Sequence, residues 1–261
     1  MFQKRPRCEY KNNQLAEVIC QLRFPKILSI NEKIPAEFQE MIRNSFPVYN
    51  VVNETPPPRI IGAPGNMQID TPPATKNYHF VSLDKNWRIN LTDSFLSLTS
   101  SQYTNWENFA KMLDIPLAAF IQIYKPACFE RIGLRYLNFF SREKLGLAGT
   151  PYSDLFNTPY VGMMGDPDIP EDAIIRSNFD SEIALPGGCK LHIHTGPGRV
   201  TQNGVQDKEL KFILDQDIYM TGNIPVKYSA GSLQTLHSHA FSAFSDVITD
   251  TLHDAMEPIS I

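Results

Sequence analysis

Ten consecutive residues, Phe129-Glu-Arg-Ile-Gly-Leu-Arg-Tyr-Leu-Asn138, alternate between two kinds of side chain. Ile132, Leu134 and Tyr136 fall on one side, and Arg131, Gly133 and Arg135 on the other. A strand separates residues in this way, because its successive Cβ atoms point to opposite faces. The pattern recurs in Leu15 to Phe24, where Ala16, Val18, Cys20, Leu22 and Phe24 share a side. It recurs again in Trp87, Ile89 and Leu91, which follow Tyr78 to Leu83 across a turn at Asp84-Lys-Asn86. Each such strand is half-buried and needs a covering layer.

Helical stretches supply that layer. Pro35 suits a first helical turn, and Phe38, Met41, Ile42 and Phe46 form a stripe that stops at Pro47. Thr104-Asn-Trp-Glu107 has capping-box spacing and predicts a helix towards Tyr124, kinked or split at Pro116. Its apolar side holds Phe109, Met112, Leu113, Leu117 and Phe120. The last third reads strand (Phe179 to Leu185), turn, strand (Cys189 to Thr195), loop, strand (Leu210 to Tyr219), then one helix from Ser232 to Met256. On that helix Leu233, Ala240, Phe244 and Val247 cluster at 100° per residue.

Two segments resist this pattern. Pro56 to Pro73 carries six prolines in eighteen residues and predicts a surface loop with one short edge strand at Arg59 to Gly62. Ser141 to Arg176 is irregular, with a short helix near Tyr152 to Phe156. The expected class is α+β: a mainly antiparallel sheet with two or three long helices packed on one face. The expected organisation is a single α+β domain over 1–261. The alternative division is into sub-halves 1–140 and 177–261, joined by 141–176.

The 16 Phe and 10 Tyr supply bulky core material, which argues against disorder. A net charge of −4 gives no global attraction to nucleic acid or anionic membrane, so no direct nucleic-acid binding is expected. No stretch approaches the ~20 apolar residues of a membrane span, and no apolar run follows the basic Met1 to Asn13. The expectation is a soluble cytoplasmic protein with no membrane partner. Cys8, Cys20, Cys128 and Cys189 are scattered and read as free thiols.

Three blocks, Leu15-Ala-Glu-Val-Ile-Cys-Gln-Leu-Arg-Phe-Pro25, Phe95 to Trp106 and Arg131-Ile-Gly-Leu-Arg-Tyr-Leu-Asn138, occur in this order. With the strand Leu210 to Asp217 and the terminal helix, they make the chain resemble a sporadically distributed family of uncharacterised prokaryotic proteins of about this length. The resemblance implies a place in mobile gene clusters, where defence and stress systems concentrate, CRISPR-accessory roles among them. It implies no activity.

The candidate sites follow from charge and spacing. Arg131 and Arg135 lie roughly 13 Å apart on one strand face, with Gly133 leaving open backbone between them. They could clamp an elongated anion such as a nucleotide phosphate chain, or each could pair with an acid of a neighbouring strand. His192 and His194 share a strand face, and Asp215 and Asp217 would be the natural supplement for a metal. If Thr195 faces Leu210, however, His194 faces Lys211, His192 faces Ile213, and Lys190 faces Asp215, so no metal site is expected. Gly196-Pro-Gly198-Arg199 lacks the length and Lys-Ser/Thr of a phosphate loop and reads as an exposed hairpin tip. His237 falls within the apolar stripe of the last helix and is expected to be buried and hydrogen-bonded. No nucleophile–base spacing is recognisable, so no catalytic residue and no cofactor are assigned.

The terminal helix carries the sharpest anomaly. Asp246, Asp250, Asp254 and Glu257 fall within roughly 80° of each other on a single helix, and no Lys or Arg occurs from Ser232 to Ile261. Carboxylates near a helix C-terminus oppose its dipole, and like charges at i,i+4 repel. The stripe is either a solvated face, or is compensated by the basic N-terminus (Lys4, Arg5, Arg7) or by a partner protein. The expected function is therefore a non-enzymatic interaction or regulatory protein that docks other proteins encoded nearby. The alternative is a small-molecule or nucleotide binder, or an enzyme, with an anion pocket at Arg131, Gly133 and Arg135.

Overall fold

The computed structural model describes residues 2, 5–55, 59–61, 68–70, 74–202 and 204–260. The chain runs through β1 (Cys8–Tyr10), β2 (Leu15–Arg23), α1 (Leu28–Glu32), α2 (Ala36–Ile42) and β3 (Val48–Glu54). A short ribbon of β4 (Arg59–Ile61) and β5 (Gln68–Asp70) follows, then β6 (Thr75–Val81), β7 (Trp87–Leu91) and β8 (Phe95–Ser100). Next come α3 (Trp106–Tyr124) and β9 (Phe129–Phe140), and two single-turn helices, α4 (Tyr152–Leu155) and α5 (Thr158–Val161). The remainder is β10 (Phe179–Ala184), β11 (Cys189–Gly198), a small ribbon of β12 (Thr201–Gln202) and β13 (Val205–Gln206), β14 (Lys211–Ile224), α6 (Ser229–Val247), α7 (Asp250–Ala255) and β15 (Pro258–Ser260).

Nine of these strands form one sheet in the order β10-β11-β14-β9-β2-β8-β7-β6-β3, every neighbouring pair antiparallel. The mixed α and β content and the large antiparallel sheet agree with the expected α+β class. β9 lies between β14 and β2, so a single sheet runs through both sub-halves of the chain. Its alternation is as read: Ile132, Leu134, Tyr136, Asn138 and Phe140 are buried, while Arg135 is exposed and Arg131 half-buried. β14 continues the pattern, with Phe212, Leu214, Gln216 and Ile218 buried and Asp215, Asp217 and Tyr219 on the outer face.

α6 lies over β9 and β14, where Phe140 stacks on Phe244 with ring centroids 6.3 Å apart. α3 is seated through Phe24–Phe120 at 4.5 Å and Trp87–Phe109 at 5.7 Å. At the far end of the core Phe156 stacks on Phe212 at 3.9 Å.

Several local expectations are corrected. The cap of α3 is Asn105, whose side chain accepts from the Asn108 amide, one residue later than the capping-box reading. α3 also runs unbroken through Pro116. Met41 of α2 is exposed, not part of its buried stripe. The final helix is two helices. Ile248 is extended and forms a bridge with Phe156, and the Thr249 hydroxyl caps α7 by accepting from the Leu252 amide. The carbonyls of Asp246 and Val247 at the end of α6 accept from Asn157, so the break leaves neither unsatisfied. Phe244 is only half-buried. Gly196 to Gly198 belong to β11 and not to a hairpin tip. Most of the proline-rich loop lies outside the described residues.

Candidate functional site

On the outer face, each charge of the predicted anion clamp has a partner from a neighbouring strand. Both carboxylate oxygens of Asp217 accept from Nη2 of Arg131, at 2.8 and 2.7 Å. Asp215 accepts from Nε of Arg135 at 2.7 Å and also from its Nη2. Arg131 lies 4.5 Å from the ring centre of Tyr219, and the Tyr219 hydroxyl donates to Glu182. The open backbone expected at Gly133 is covered: a Cβ there would approach Cζ of Arg131 to 2.8 Å. Glycine is what lets the guanidinium lie flat across β9. Donation to Asp215 holds the Arg135 guanidinium above its ordinary range.

The histidine register also differs from expectation. β11 extends to Gly198 before the chain turns, so Thr195 faces Leu214, four residues further along than assumed. His194 then faces Asp215, His192 faces Asp217, and Lys190 faces Tyr219. Both imidazoles reach the same carboxylate, Asp180 of β10, at 3.1 and 3.3 Å. Those contacts hold the Asp180 carboxyl below its ordinary range. Among the described residues no group of three or more His, Cys, Asp or Glu is arranged to hold a metal ion.

The acidic stripe does not survive the helix break as a single flank. Asp250 sits in the first turn of α7, where the helix dipole favours it, and pairs with Arg5 at 2.7 Å. Glu257 pairs with Lys11 at 2.7 Å, and the Tyr160 hydroxyl donates to Asp246 at 2.7 Å. Asp254 is exposed. Arg7 turns instead to Glu107 at 3.0 Å, and Lys4 lies outside the described residues. The N-terminal arm thus compensates Asp250 and Glu257 from within the chain.

The covered face of the same two central strands is different. A cavity of about 120 Å³ lies between β9, β14 and α6, bordered by residues between Arg7 and Leu15 and by Tyr103 to Trp106. Tyr136 and Asn138 of β9, Gln216 of β14 and His237 of α6 line it. Gln216 stands directly opposite Tyr136 in the sheet. Asn138 is 2% exposed and Gln216 1%. Nδ2 of Asn138, Nε2 of Gln216 and Nε2 of His237 are all buried with no hydrogen-bond partner among the described residues. A buried polar group left unpaired costs about 1–3 kcal/mol, so three around one cavity form a concentrated anomaly.

His237 is fixed from two sides. Nδ1 shares a hydrogen bond with the Tyr136 hydroxyl at 3.1 Å, and the ring stacks on Trp106 at 4.6 Å and 8°. Trp106 is held in turn by donation from Nε1 to Gln234 at 2.8 Å. Burial lowers the imidazole to about 4, and Arg7 acts in the same direction. Burial likewise raises Tyr136 well above the ordinary phenol range, with Tyr103 adding to it. Near neutral pH the four lining groups are therefore uncharged.

A larger depression of about 500 Å³ near Arg142 and Tyr152 carries no comparable anomaly. Arg142 pairs there with Glu171 at 2.9 Å, and the Tyr152 hydroxyl donates to the Leu210 carbonyl at 2.5 Å.

Sequence reading places His237 correctly as buried and hydrogen-bonded, but misses the cavity around it. The available signal was an amide at an inward position of each of two strands. Asn138 continues the series Ile132, Leu134, Tyr136, and Gln216 stands between Leu214 and Ile218.

Comparison with models of known protein families gives no match, and comparison with curated proteins gives none either. The functional reading of this chain therefore rests on the geometry of its own side chains.

Proposed function

We propose that the chain is a binding protein for a small molecule, held in the cavity bounded by Tyr136, Asn138, Gln216 and His237. On this reading α3 and α6 form a layer on one face of the sheet, and the cavity is the gap that layer leaves over β9 and β14. The observation that carries it is the set of three buried nitrogens, unpartnered among the described residues, on side chains that line one pocket. Interiors close such gaps with apolar side chains unless something else satisfies the polar groups. The arginine pocket is the weaker site, because a ligand there would have to displace Asp215 and Asp217. The test is native mass spectrometry of protein purified without denaturation from its own host. Wild type should carry a small molecule that Ala240→Phe, which fills the cavity, does not. Wild type and variant both free of added mass would count against the reading.

A second reading, protein interaction within a prokaryotic gene cluster of the defence or stress kind, is favoured by one observation. β3 ends the nine-stranded sheet, and among the described residues no strand pairs with its outer edge. Val48, Tyr49, Val51 and Val52 are 40–47% exposed on it, and it contains neither Pro nor Lys. A cytoplasmic partner encoded nearby would add a strand there. Val51→Lys should abolish co-purification of that partner and leave cavity binding intact.

A further inference from the structure

We propose that β15 is a latch: it holds residues 7–15 beside the cavity as a strap, and its release widens the way in for a ligand. This rests on the small-molecule reading above and supplies the route of entry. Opening is measured with no ligand present, so either idea can fail without the other.

The strap is anchored at one end only. Arg7, Cys8, Glu9, Tyr10, Asn13 and Gln14 all line the cavity. The Gln14 carbonyl accepts from the Phe139 amide of β9 at 2.9 Å, and its side-chain oxygen accepts from the Ser141 amide at 3.1 Å. Leu15 then begins β2, so this end is built into the sheet. Towards the N-terminus the strap leaves the nine-stranded sheet, and β1 pairs with β15 in a separate ribbon. The Lys11 and Asn12 amides donate to the carbonyls of Glu257 and Met256, at 3.1 and 3.0 Å. Gln14 is the hinge, and the ribbon is the fastening.

The latch itself does little else. Pro258, Ile259 and Ser260 are all exposed, so β15 adds nothing to the core. Among the described residues β1 is its one strand partner. What such a strand does in the fold is hold that partner.

The hold is light. Two-stranded ribbons are marginal in water without further support. Lys11 and Glu257 pair at 2.7 Å, but both are more than half exposed, and pairs of that kind contribute little. Arg5 reaches the same region through the exposed Asp250 and the Ile248 carbonyl. The firmest point is Tyr10, whose hydroxyl lies 2.8 Å from Nδ1 of His253 and whose ring lies 5.8 Å from that of Phe244. Segments fastened in this way open locally at a lower free energy than the whole fold.

The experiment follows the strap and the cavity together in the full chain. Hydrogen exchange at the Lys11 and Asn12 amides reports the strap, exchange along β9 reports the fold, and acrylamide quenching of Trp106, which lines the cavity, reports access. In the wild type the two strap amides should exchange about tenfold or more faster than those of β9. Ser260 stands directly opposite Cys8, so Ser260→Cys can be oxidised to a disulfide that fixes the latch. Oxidation should slow the strap amides about tenfold relative to the reduced form of the same variant, and lower the quenching of Trp106. Shortening the chain to end at Glu257 should raise both, with β9 exchange unchanged. If that shortened chain fails to fold, the oxidised and reduced forms still decide the matter. Strap amides that exchange only in step with β9 would overturn the proposal, as would quenching that is the same in the oxidised and reduced forms. Either result would leave small-molecule binding to the native mass measurement.

Discussion

The two faces of β9 and β14 are built from alternate residues of the same two strands, yet they settle their polar groups in opposite ways. On the outer face Arg131, Arg135, Asp215 and Asp217 are matched pair for pair, and even the glycine between the arginines is used to seat a guanidinium. On the covered face Asn138 and Gln216 are almost fully buried, and their amide nitrogens are matched by nothing among the described residues. Outer-face charges are partly solvated, so mispairing there costs little. Inner-face amides have no solvent to fall back on, and an unmatched one is expensive. The conspicuous charges of this molecule are accounted for by one another, whereas the inconspicuous amides in an apolar register are not.

Acidification should separate the faces most strongly. His237 is held at about 4 when folded, against about 6.5 unfolded, so the unfolded chain binds a proton first as pH falls. Its stabilising effect is complete above about pH 6.5 and lost progressively towards pH 4, on the order of 2–3 kcal/mol. Urea titrations across that range should show the loss, and His237→Gln should remove most of it. An unchanged slope in the variant would place the proton uptake elsewhere.

Next in size is Gln216→Leu, which should raise stability by roughly 1–2 kcal/mol in the ligand-free protein, because an unpaired buried amide is removed. A comparable fall would mean that the amide has a partner after all. Smaller again is the coupling across the outer face. A double-mutant cycle on Arg131 and Asp217 should give about 0.5–1 kcal/mol, reduced by salt. A coupling of several kcal/mol would show that the outer face is as unforgiving as the inner one. The smallest effects belong to the former acidic stripe. Asp250→Asn should cost a few tenths of a kcal/mol through Arg5 and the α7 dipole. Asp254→Asn should leave the thermal midpoint unmoved, and a clear shift there would reveal a contact of Asp254.

The strands that the alternation marks most clearly, β2, β7 and β9, are legible because each has one mainly apolar side. β3 is not, since Val48-Tyr-Asn-Val-Val-Asn-Glu54 is exposed along its whole length and shows no period of two. The β11–β14 register was misread because the connection after Thr195 gives no short-turn signal, and a shift of four residues preserves the face of every side chain. The break at Ile248 did leave a trace: Thr249 followed by Asp250 is an N-cap and a first-turn acid. It was overridden by the apolar period running through it. That period holds only up to Val247, where contact with Phe156 takes over. The cavity lay in plain view as two misplaced amides, but no spacing rule joins Asn138, Gln216 and His237, which only the sheet and α6 bring together.

β1 and β15 pair with Cys8 opposite Ser260, and Arg5, Tyr10 and Lys11 reach Asp250, His253 and Glu257. This clasp ties residues 5–11 to residues 250–260, and its seam runs beside the cavity at Cys8, Glu9 and Tyr10. Cys8, Glu9 and Tyr10 of β1 line the cavity, and pairing with β15 holds that strand in place. An affinity tag, a fused domain or a docking neighbour attached near either strand would therefore act as a hand on the same door.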